Sequence, residues 1–599
     1  MFLRCTQRVK DGKVHRYWSI VETRRTAHKK VVQRQVLYLG EINDTQKAAW
    51  VRSIEVWEMG KDQGQQIALF PQDREAPELE HEVVHVRLDQ IRIQQARQWG
   101  GCWLACELWQ QLQLDQFWQS RLAPSREGTD WLAILKIVVS YRLLDPGSEW
   151  RLHRDWYGHS AMGELLGQGG SGLGLQSLYR CLDKLLAHKE AFFGFLTQRW
   201  RDLFQVGYEV LLYDLTSTYF ECVPPEGGKR RHGYSRDKRP DCVQVVIALV
   251  ITPEGFPMAY EVMAGNTSEK TTLKSFLEKI ENQYGKVNRT WVMDRGIPTE
   301  ENLRAMRGAQ VPIGYLVGTP RGRLTKLEKE FLSQPWQQVK ESVAVKLLPQ
   351  EGELYILARS QGRQQKERGI RRRRLKRLWQ RLRELQQQKL TRDQLLLKLG
   401  AAKAEAGNAY RLVQVQVPAV KADSPAGASS SFTFSLCKDK LRAVRRHEGH
   451  YLLRSNLPTQ DPAVLWQRYL QLTEIEAVFR NLKSDLALRP VFHQTDTRIE
   501  AHIFVAFLAY CLYVTLQQRV RSLAPGLTSR AVIEKMMAIQ MVDVCLPTTD
   551  GRLLILPRYT QPEPDQQLLL QRLHLLLPPQ PLPRLSQLES DFLSGTRVM

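Results

Sequence analysis

The sequence has little of what usually marks a secreted, membrane or zinc-binding protein. Its nine cysteines are odd in number and dispersed over 599 residues. Cys102 and Cys106 stand four apart on a predicted helix, not in a CxxC knuckle. A disulfide framework and a zinc site are therefore not expected, and the thiols read as reduced, in a cytosolic compartment. The opening MFLRCTQRVKDGK lacks the apolar core of a signal peptide. The longest apolar run, Ile503 to Leu516, is short, contains Thr515 and is flanked by His502 and Arg519. It reads as a buried helix, and no membrane partner is expected. Acids are the minority among the charges: 63 Asp plus Glu stand against 86 Lys plus Arg, a net charge of +23. A surface so basic attracts polyanions, nucleic acid first and anionic membrane second. The length exceeds one core, so roughly three or four domains are expected.

The most informative stretch is YLQLTEIEAVFRNLK, Tyr469 to Lys483, which holds no Gly or Pro. At about 100° per residue, a single helix would align Tyr469, Leu472, Glu476, Arg480 and Lys483 in one stripe. Ile475, Val478, Phe479 and Leu482 would form the adjoining apolar face. A lone acid between aligned bases beside a core suits phosphate and metal. The plain alternative is an amphipathic helix with i,i+4 and i,i+7 charge pairs.

Upstream, residues 1 to about 95 are rich in strand-like runs, Tyr17 to Ile20 and Val31 to Leu39, with Gly40 ending the second. Residues 96 to about 205 are helical, with Asp130 placed to cap a helix through Leu144. The pattern changes at Tyr208. Val210 to Tyr213 is strand-like and leads into Asp214, and alternation puts Asp214, Thr216 and Thr218 on one face. Strands over Val243 to Ile251 and Met258 to Ala264 follow, then a helix over Thr271 to Tyr284. Thr290 to Met293 forms a strand that ends in Asp294. A helix capped by Thr299 and a strand over Ile313 to Val317 complete the series. In α/β sheets, acids at strand ends are usually functional, and the strands of Asp214 and Asp294 could be neighbours at the sheet centre. Beyond residue 320, a probable hairpin (Val343 to Leu348 with Leu354 to Ala358) precedes the very basic GIRRRRLKRLWQRLRELQQQKL. Leu375, Leu378, Leu382 and Leu385 give that segment an apolar seam; Arg371 to Arg374 invite DNA contact or simple solvation.

Two aspartates on strands and a glutamate on a later helix form a triad of carboxylates. Three such groups can hold two Mg²⁺ or Mn²⁺ ions, one activating a water or 3′-hydroxyl and the other stabilising the leaving oxygen.

The strand YDLTSTYFE with Asp214, the strand and turn WVMDRG with Asp294, and a late Tyr-x2-Arg-x3-Glu-x6-Lys spacing met by Tyr469, Glu476 and Lys483 resemble the DDE transposases of bacterial insertion sequences. HGYSRDKRPD followed by VQVVIALV, and GFPMAYEVMAGNTSE, look like the region between the acids in that family. The resemblance covers roughly 205 to 515. Leu472 departs from the signature, where the family has Arg; Arg480, one turn after Glu476, could supply that charge. The resemblance implies a multidomain α/β chain. Its ribonuclease-H-like mixed sheet with flanking helices would be interrupted by a β-rich plus helical insertion, behind a small N-terminal β module and a helical bundle. The expected divisions are 1–95 (β module), 96–205 (helical, DNA-end binding), 206–319 (first part of the core), 320–455 (insertion, with basic helix 363–398), 456–520 (second part of the core) and 521–599 (C-terminal region). It also implies Asp214, Asp294 and Glu476 as catalytic metal ligands, cut-and-paste movement in the bacterial cytoplasm, and a synaptic homodimer holding two inverted-repeat ends.

Arg480 and Lys483 are expected on phosphates, or else paired with Glu476. Tyr469 would stack near the terminal phosphate or pack in the core. Arg295 would face phosphate or a salt-bridge partner. Lys229, Arg230, Arg231, His232, Arg236, Lys238 and Arg239 form a basic loop expected on the DNA backbone. His493 is read as a structural residue or one that supports the acids. Two rival functions remain open in the sequence: a nuclease that only hydrolyses, and a non-catalytic DNA-binding protein that inhibits transposition.

Overall fold

The computed structural model describes the chain except for residues 11–12, 26–30, 44–45, 48–49, 51–85, 169–172, 310, 389, 418–431, 459–460 and 588–599. The small-residue loop expected over 419–431, part of the glycine-rich break near 170, and parts of the 1–95 and 521–599 regions lie outside the described residues.

In chain order the strands are β1 (Phe2–Lys10), β2 (Lys13–Arg25), β3 (Val31–Gly40), β4 (Arg92–Gln98), β5 (Val210–Phe220), β6 (Val243–Ile251), β7 (Pro257–Ala264), β8 (Thr290–Met293), β9 (Gly314–Gly318), β10 (Gln337–Lys340), β11 (Val343–Gln350), β12 (Glu353–Ser360), β13 (Val413–Gln416), β14 (Thr433–Leu436), β15 (His450–Ser455), β16 (Gln540–Pro547), β17 (Arg552–Tyr559) and β18 (Arg584–Gln587). The helices that matter below are α1 (Trp131–Leu144), α2 (Lys189–Phe204), α3 (Glu269–Tyr284), α4 (Glu300–Gly308), α5 (Gln361–Gln387), α6 (Arg392–Ala406), α7 (Pro462–Leu470), α8 (Leu472–Arg480) and α9 (Asp496–Leu523).

The chain forms two compact units, Met1–Gly207 with Leu215–Thr267 and Glu474–Met599, and Tyr208–Asp214 with Ser268–Thr473. In the first, β1, β2 and β3 make an antiparallel sheet, and β18-β17-β16-β4 make another. Its core is built on α9, the one described helix long and apolar enough to cross a membrane, of whose most apolar window 94% is buried inside the protein. Tyr260 of β7 stacks on Phe507 of α9 at 4.0 Å, and Phe193 of α2 meets Tyr260 edge-on. Asp130 caps α1 by accepting from the Ala133 amide at 2.9 Å, as its type and position predict. β6 is buried along its whole length, which explains a sequence apolar except for Gln244, whose amide donates to the Gly265 carbonyl at 2.9 Å.

The second unit is a mixed sheet, with strands in the order β10-β11-β12-β15-β9-β8 and then the first half of β5. β5, β8 and β9 are parallel; β10, β11, β12 and β15 run antiparallel to their neighbours. Thr299 caps α4 by accepting from the Asn302 amide at 3.1 Å. Four strands from the stretch 320–455 thus extend the sheet that holds β8. The helix Arg321–Leu332 packs on those strands through Leu324, Leu327 and Phe331, and α5 and α6 form a separate small core. There Leu378, Leu382 and Leu385 of α5 pack against Leu395, Leu399 and Ala402 of α6. The apolar seam read in the basic helix is therefore real. Arg371 is not solvated: it is buried and donates from Nε to Glu448 at 2.5 Å.

Because that small core contains few large side chains, Leu382, wholly buried, is a sensitive probe of it. Leu382→Ala is expected to destabilise this core by about 2–5 kcal/mol. Hydrogen exchange should show faster amide exchange in α5 and α6 while β8 and β9 stay protected.

Candidate active site

The register of two parallel strands builds the centre of the site. Val210, Leu211, Leu212 and Tyr213 of β5 pair with Thr290, Trp291, Val292 and Met293 of β8. The next residue on each strand is an acid, so Asp214 and Asp294 follow side by side. Tyr213 points to the helix-covered face, where its hydroxyl donates to Thr272 of α3 at 2.7 Å and its ring packs on Phe276. Alternation sends Asp214 to the opposite face. The strand runs on through Asp214 to Phe220, as the alternation of Asp214, Thr216 and Thr218 suggests, carried by β-branched Thr216 and Thr218. Only its ladder with β8 ends earlier, at Tyr213. Asp294 is exposed and its Oδ1 accepts from the Arg295 amide at 2.7 Å. Paired carboxylate oxygens suit a hard divalent cation, which also offsets their mutual repulsion.

Gly318, the last residue of β9, adjoins this pair, and the sequence reading passed over it. A Cβ there would lie 3.0 Å from the Arg295 nitrogen and 3.2 Å from Asp294 Oδ1, tighter than ordinary contact. The absent side chain is what lets the Asp294 turn settle against β9. Tyr469 lies in the same unit, its ring 6.0 Å from those of Tyr451 and Trp466. Burial first, and then the charge of Asp294, push its phenol well above the ordinary range. Tyr469 is thus both packed and close to Asp294, which joins the two readings made of it.

The segment 469–485 is not the single helix its composition suggests. α7 ends at Leu470, Gln471 turns, α8 covers Leu472–Arg480, and Asn481–Asp485 form a π turn. The Thr473 hydroxyl donates to the Leu470 carbonyl at 2.8 Å, a local bond that competes with continuous helix. The five-residue stripe therefore breaks into parts. Glu476 and Arg480 remain one turn apart on α8, both exposed. Lys483 is carried round by the π turn and donates to Asp237 at 3.0 Å, not to Glu476. Glu474 pairs with Arg521 at 2.7 Å.

The basic loop is largely committed to partners within the first unit. Lys229 Nζ donates to Glu500 at 2.6 Å, and Arg230 donates to the Gln494 carbonyl at 2.7 Å. Arg239 reaches Glu221 at 2.6 Å and Asp241 at 2.9 Å, and lies 4.9 Å over the Tyr219 ring. Asp237 holds Arg489 at 3.1 Å as well as Lys483. Lys238 takes a positive φ of 59°, so the loop turns sharply between Asp237 and Arg239. Tyr234 and His232 are exposed. Burial lowers the Lys483 ammonium against the pull of Asp237, and the charges of Arg489 and Arg236 add to that lowering.

A second cluster was hidden from the sequence by the distance between its members. Glu149 Oε1 stands 3.3 Å from His493 Nε2 and 3.7 Å from His502 Nδ1, all three buried. The spacing would admit a metal ion. Arg142, however, is buried beside it, with Nη2 3.5 Å from His502 Nδ1 and Nη1 donating to the Ala487 carbonyl at 3.0 Å. A guanidinium already supplies the positive charge that Glu149 needs, so the cluster is a buried charge network. His493 is accordingly structural. Burial, and then Arg142, pull the His502 imidazole down to about 4.

Comparison with known proteins gives two family matches. The transposase DDE domain profile covers residues 207–512, half of the chain, and the IS1634 family transposase N-terminal domain profile covers residues 3–63. No curated protein matches the chain. Among solved structures, a cryo-EM structure of the piggyBac transposase synaptic complex with hairpin DNA aligns at a TM-score of 0.32 with 9% identity, over 73% of this chain and 75% of that one.

Two outcomes are expected. Gly318→Val should weaken Mn²⁺ binding roughly tenfold in a calorimetric titration, because the Asp294 turn must shift. Gly322→Ala, where a Cβ meets nothing within 4 Å, should leave it unchanged. The second concerns acid stability. The folded His502 value lies below the unfolded value of 6.5, so the unfolded chain binds the proton first. This contribution is full above pH 6.5 and declines as pH falls toward about 4. Its size is about 3 kcal/mol. Denaturant unfolding of His502→Gln across that window should show a flatter pH dependence than the natural chain.

Proposed function

The chain belongs to the transposase DDE domain family and is an insertion-sequence DNA transposase, and from that premise we propose that Asp214, Asp294 and Glu476 are its catalytic acids. The family cleaves and transfers phosphodiester bonds with divalent metal ions. The observation that carries the assignment is the β5–β8 register, which sets Asp214 beside Asp294. Glu476 joins them on the strength of its spacing from Tyr469 and Lys483 and its exposure on α8. On this reading the mixed sheet is a ribonuclease-H-like core, and the stretch 320–455 is its insertion.

Asp214, Asp294 and Glu476 would hold two Mg²⁺ or Mn²⁺ ions, which when bound activate the attacking oxygen and neutralise the leaving one. The carboxylates remain ligands throughout and form no bond to DNA. In the first step a water oxygen bonds to phosphorus at the element's end, and the 3′-oxygen leaves and takes up a proton. In the second, that 3′-hydroxyl gives up its proton and attacks a target phosphate in line, and the target's own 3′-oxygen leaves. Bonds made and broken balance in each step, so neither an oxidant nor a covalent enzyme intermediate is required. Arg295 next to Asp294, and Arg480 one turn after Glu476, grip the phosphate under attack. Tyr469 braces the Asp294 side. Arg236, Lys238, Arg239 and Lys483 present a basic surface to the DNA backbone, with their internal acids moderating its strength. The working form is a homodimer that synapses two inverted-repeat ends in cut-and-paste movement in the bacterial cytoplasm.

The test is metal-dependent cleavage of a duplex carrying the terminal inverted repeat that flanks the coding region. Asp294→Asn should reduce cleavage by roughly a thousandfold or more while leaving end binding intact. Cleavage at the natural rate in that variant would remove Asp294 from the site. Glu474→Gln, which breaks a partly exposed pair with Arg521, should leave cleavage within about twofold.

A further inference from the structure

We propose that Arg363, in the first turn of α5, is a further phosphate-gripping residue of the DNA-cleaving site, delivered to Asp294 along the sheet edge. The inference rests on the reading of Asp294 as a catalytic acid.

The strand registers bring it there. Met293 pairs with Val317, so Asp294 stands next to Gly318. Gly318 pairs in turn with Leu453 of β15. β15 runs antiparallel to β9, so its first residues lie at the same edge, and Tyr451 pairs with Ala358 of β12. β12 ends at Ser360 on that edge, and α5 leaves from it directly. Asp294, Gly318, Tyr451 and the start of α5 therefore share one edge of one sheet, all within the second unit.

Arg363 is held there. Its guanidinium carbon lies 4.1 Å from the Tyr451 ring centroid, and its Nε donates to Glu367 at 2.8 Å. Tyr451 in turn packs edge-on against Tyr469, their centroids 6.0 Å apart. Glu367 is fixed from the other side, since its Oε2 accepts from the Gly449 amide at 2.9 Å. A guanidinium carries five N–H donors in a planar fork, more than Tyr451 and Glu367 take up. The Arg363 side chain keeps 35% of its exposure, so part of the fork reaches solvent.

Helix stability does not explain this arginine. A cation in the first turn opposes the helix dipole, whose positive end lies there. Glu367 offsets that cost but would be better placed with no cation before it. A cation pre-positioned by a ring and a carboxylate, on the edge that ends in a metal-binding acid, suits a phosphate: the fork matches two phosphate oxygens and loses little freedom on binding. With Arg295 it brackets Asp294 by two guanidinium groups drawn from different parts of the chain.

The experiment uses the full chain and a labelled duplex carrying the terminal inverted repeat, with affinity followed across salt and cleavage followed with Mg²⁺. Arg363→Ala should lower the log–log salt slope by about 0.9, the loss of one phosphate contact, and slow cleavage of bound duplex by roughly tenfold or more. Arg363→Lys should restore the slope and only part of the cleavage, because a point charge replaces a fork. If Arg363→Ala does not fold, Arg363→Gln, which keeps a donor for Glu367, reads the same two quantities. Unchanged slope and cleavage, or a lowered melting temperature with the slope intact, would overturn the inference. Asp294→Asn, run in parallel, separates the two claims. If it cleaves normally, the site reading has failed; if it is inactive while Arg363→Ala behaves as the natural chain, only the role of Arg363 has failed.

Discussion

The pairing of β5 with β8 is the constraint on which the site depends. A parallel ladder holds two strands at the same height, and this one ends at Tyr213 and Met293 with an acid next on each. Two carboxylates set side by side repel each other, and nothing in a β-ladder favours that placement. Tyr213 is tied to Thr272 on the far face, and Gly318 leaves room for the Asp294 turn. On the proposed reading, divalent metal ions would offset the repulsion between the two acids.

The strands, and the positions of Asp214 and Asp294 on or just after them, were legible in the sequence because local patterns determine them. β6 and β8 match their expected bounds residue for residue, and Asp130 and Thr299 cap the helices assigned to them. The break after Tyr469 was not legible, because it turns on one hydroxyl: Thr473 bonds to Leu470, and a sequence free of Gly and Pro gave no warning. The departure of Lys483 from the stripe was hidden for a related reason. A π turn adds a residue to the helical repeat, and a wheel drawn at constant pitch cannot show it. The cluster of Glu149, His493 and His502 joins residues far apart in sequence and could be seen only in the folded chain. The same holds for Arg363, whose place at the edge follows from strand pairings that run out of chain order.

Several cations of the basic loop and its neighbourhood are already paired with acids of the same unit. Lys229 is spent on Glu500, and Arg239 on Glu221 and Asp241. Lys483 and Arg489 share the single carboxylate of Asp237. On the proposed reading such pairing has a use: a loop already ordered by its own acids pays less entropy on meeting a polyanion than a free chain of lysines would.

On the proposed reading, internal pairing also limits which cations can act at the chemical step. A group bound to a neighbouring carboxylate must exchange partners before it can grip a phosphate, and Lys483 would have to leave Asp237 to do so. Arg480 is exposed on α8, and Arg295 follows Asp294 directly in an exposed turn. Arg363 is paired too, but an arginine can keep Nε on Glu367 and still turn its remaining donors outward, which an ammonium with a single nitrogen does less well. The proposed division of labour follows from side-chain chemistry: arginines at the acids for the phosphate being cut, and the lysine-bearing loop for the DNA backbone.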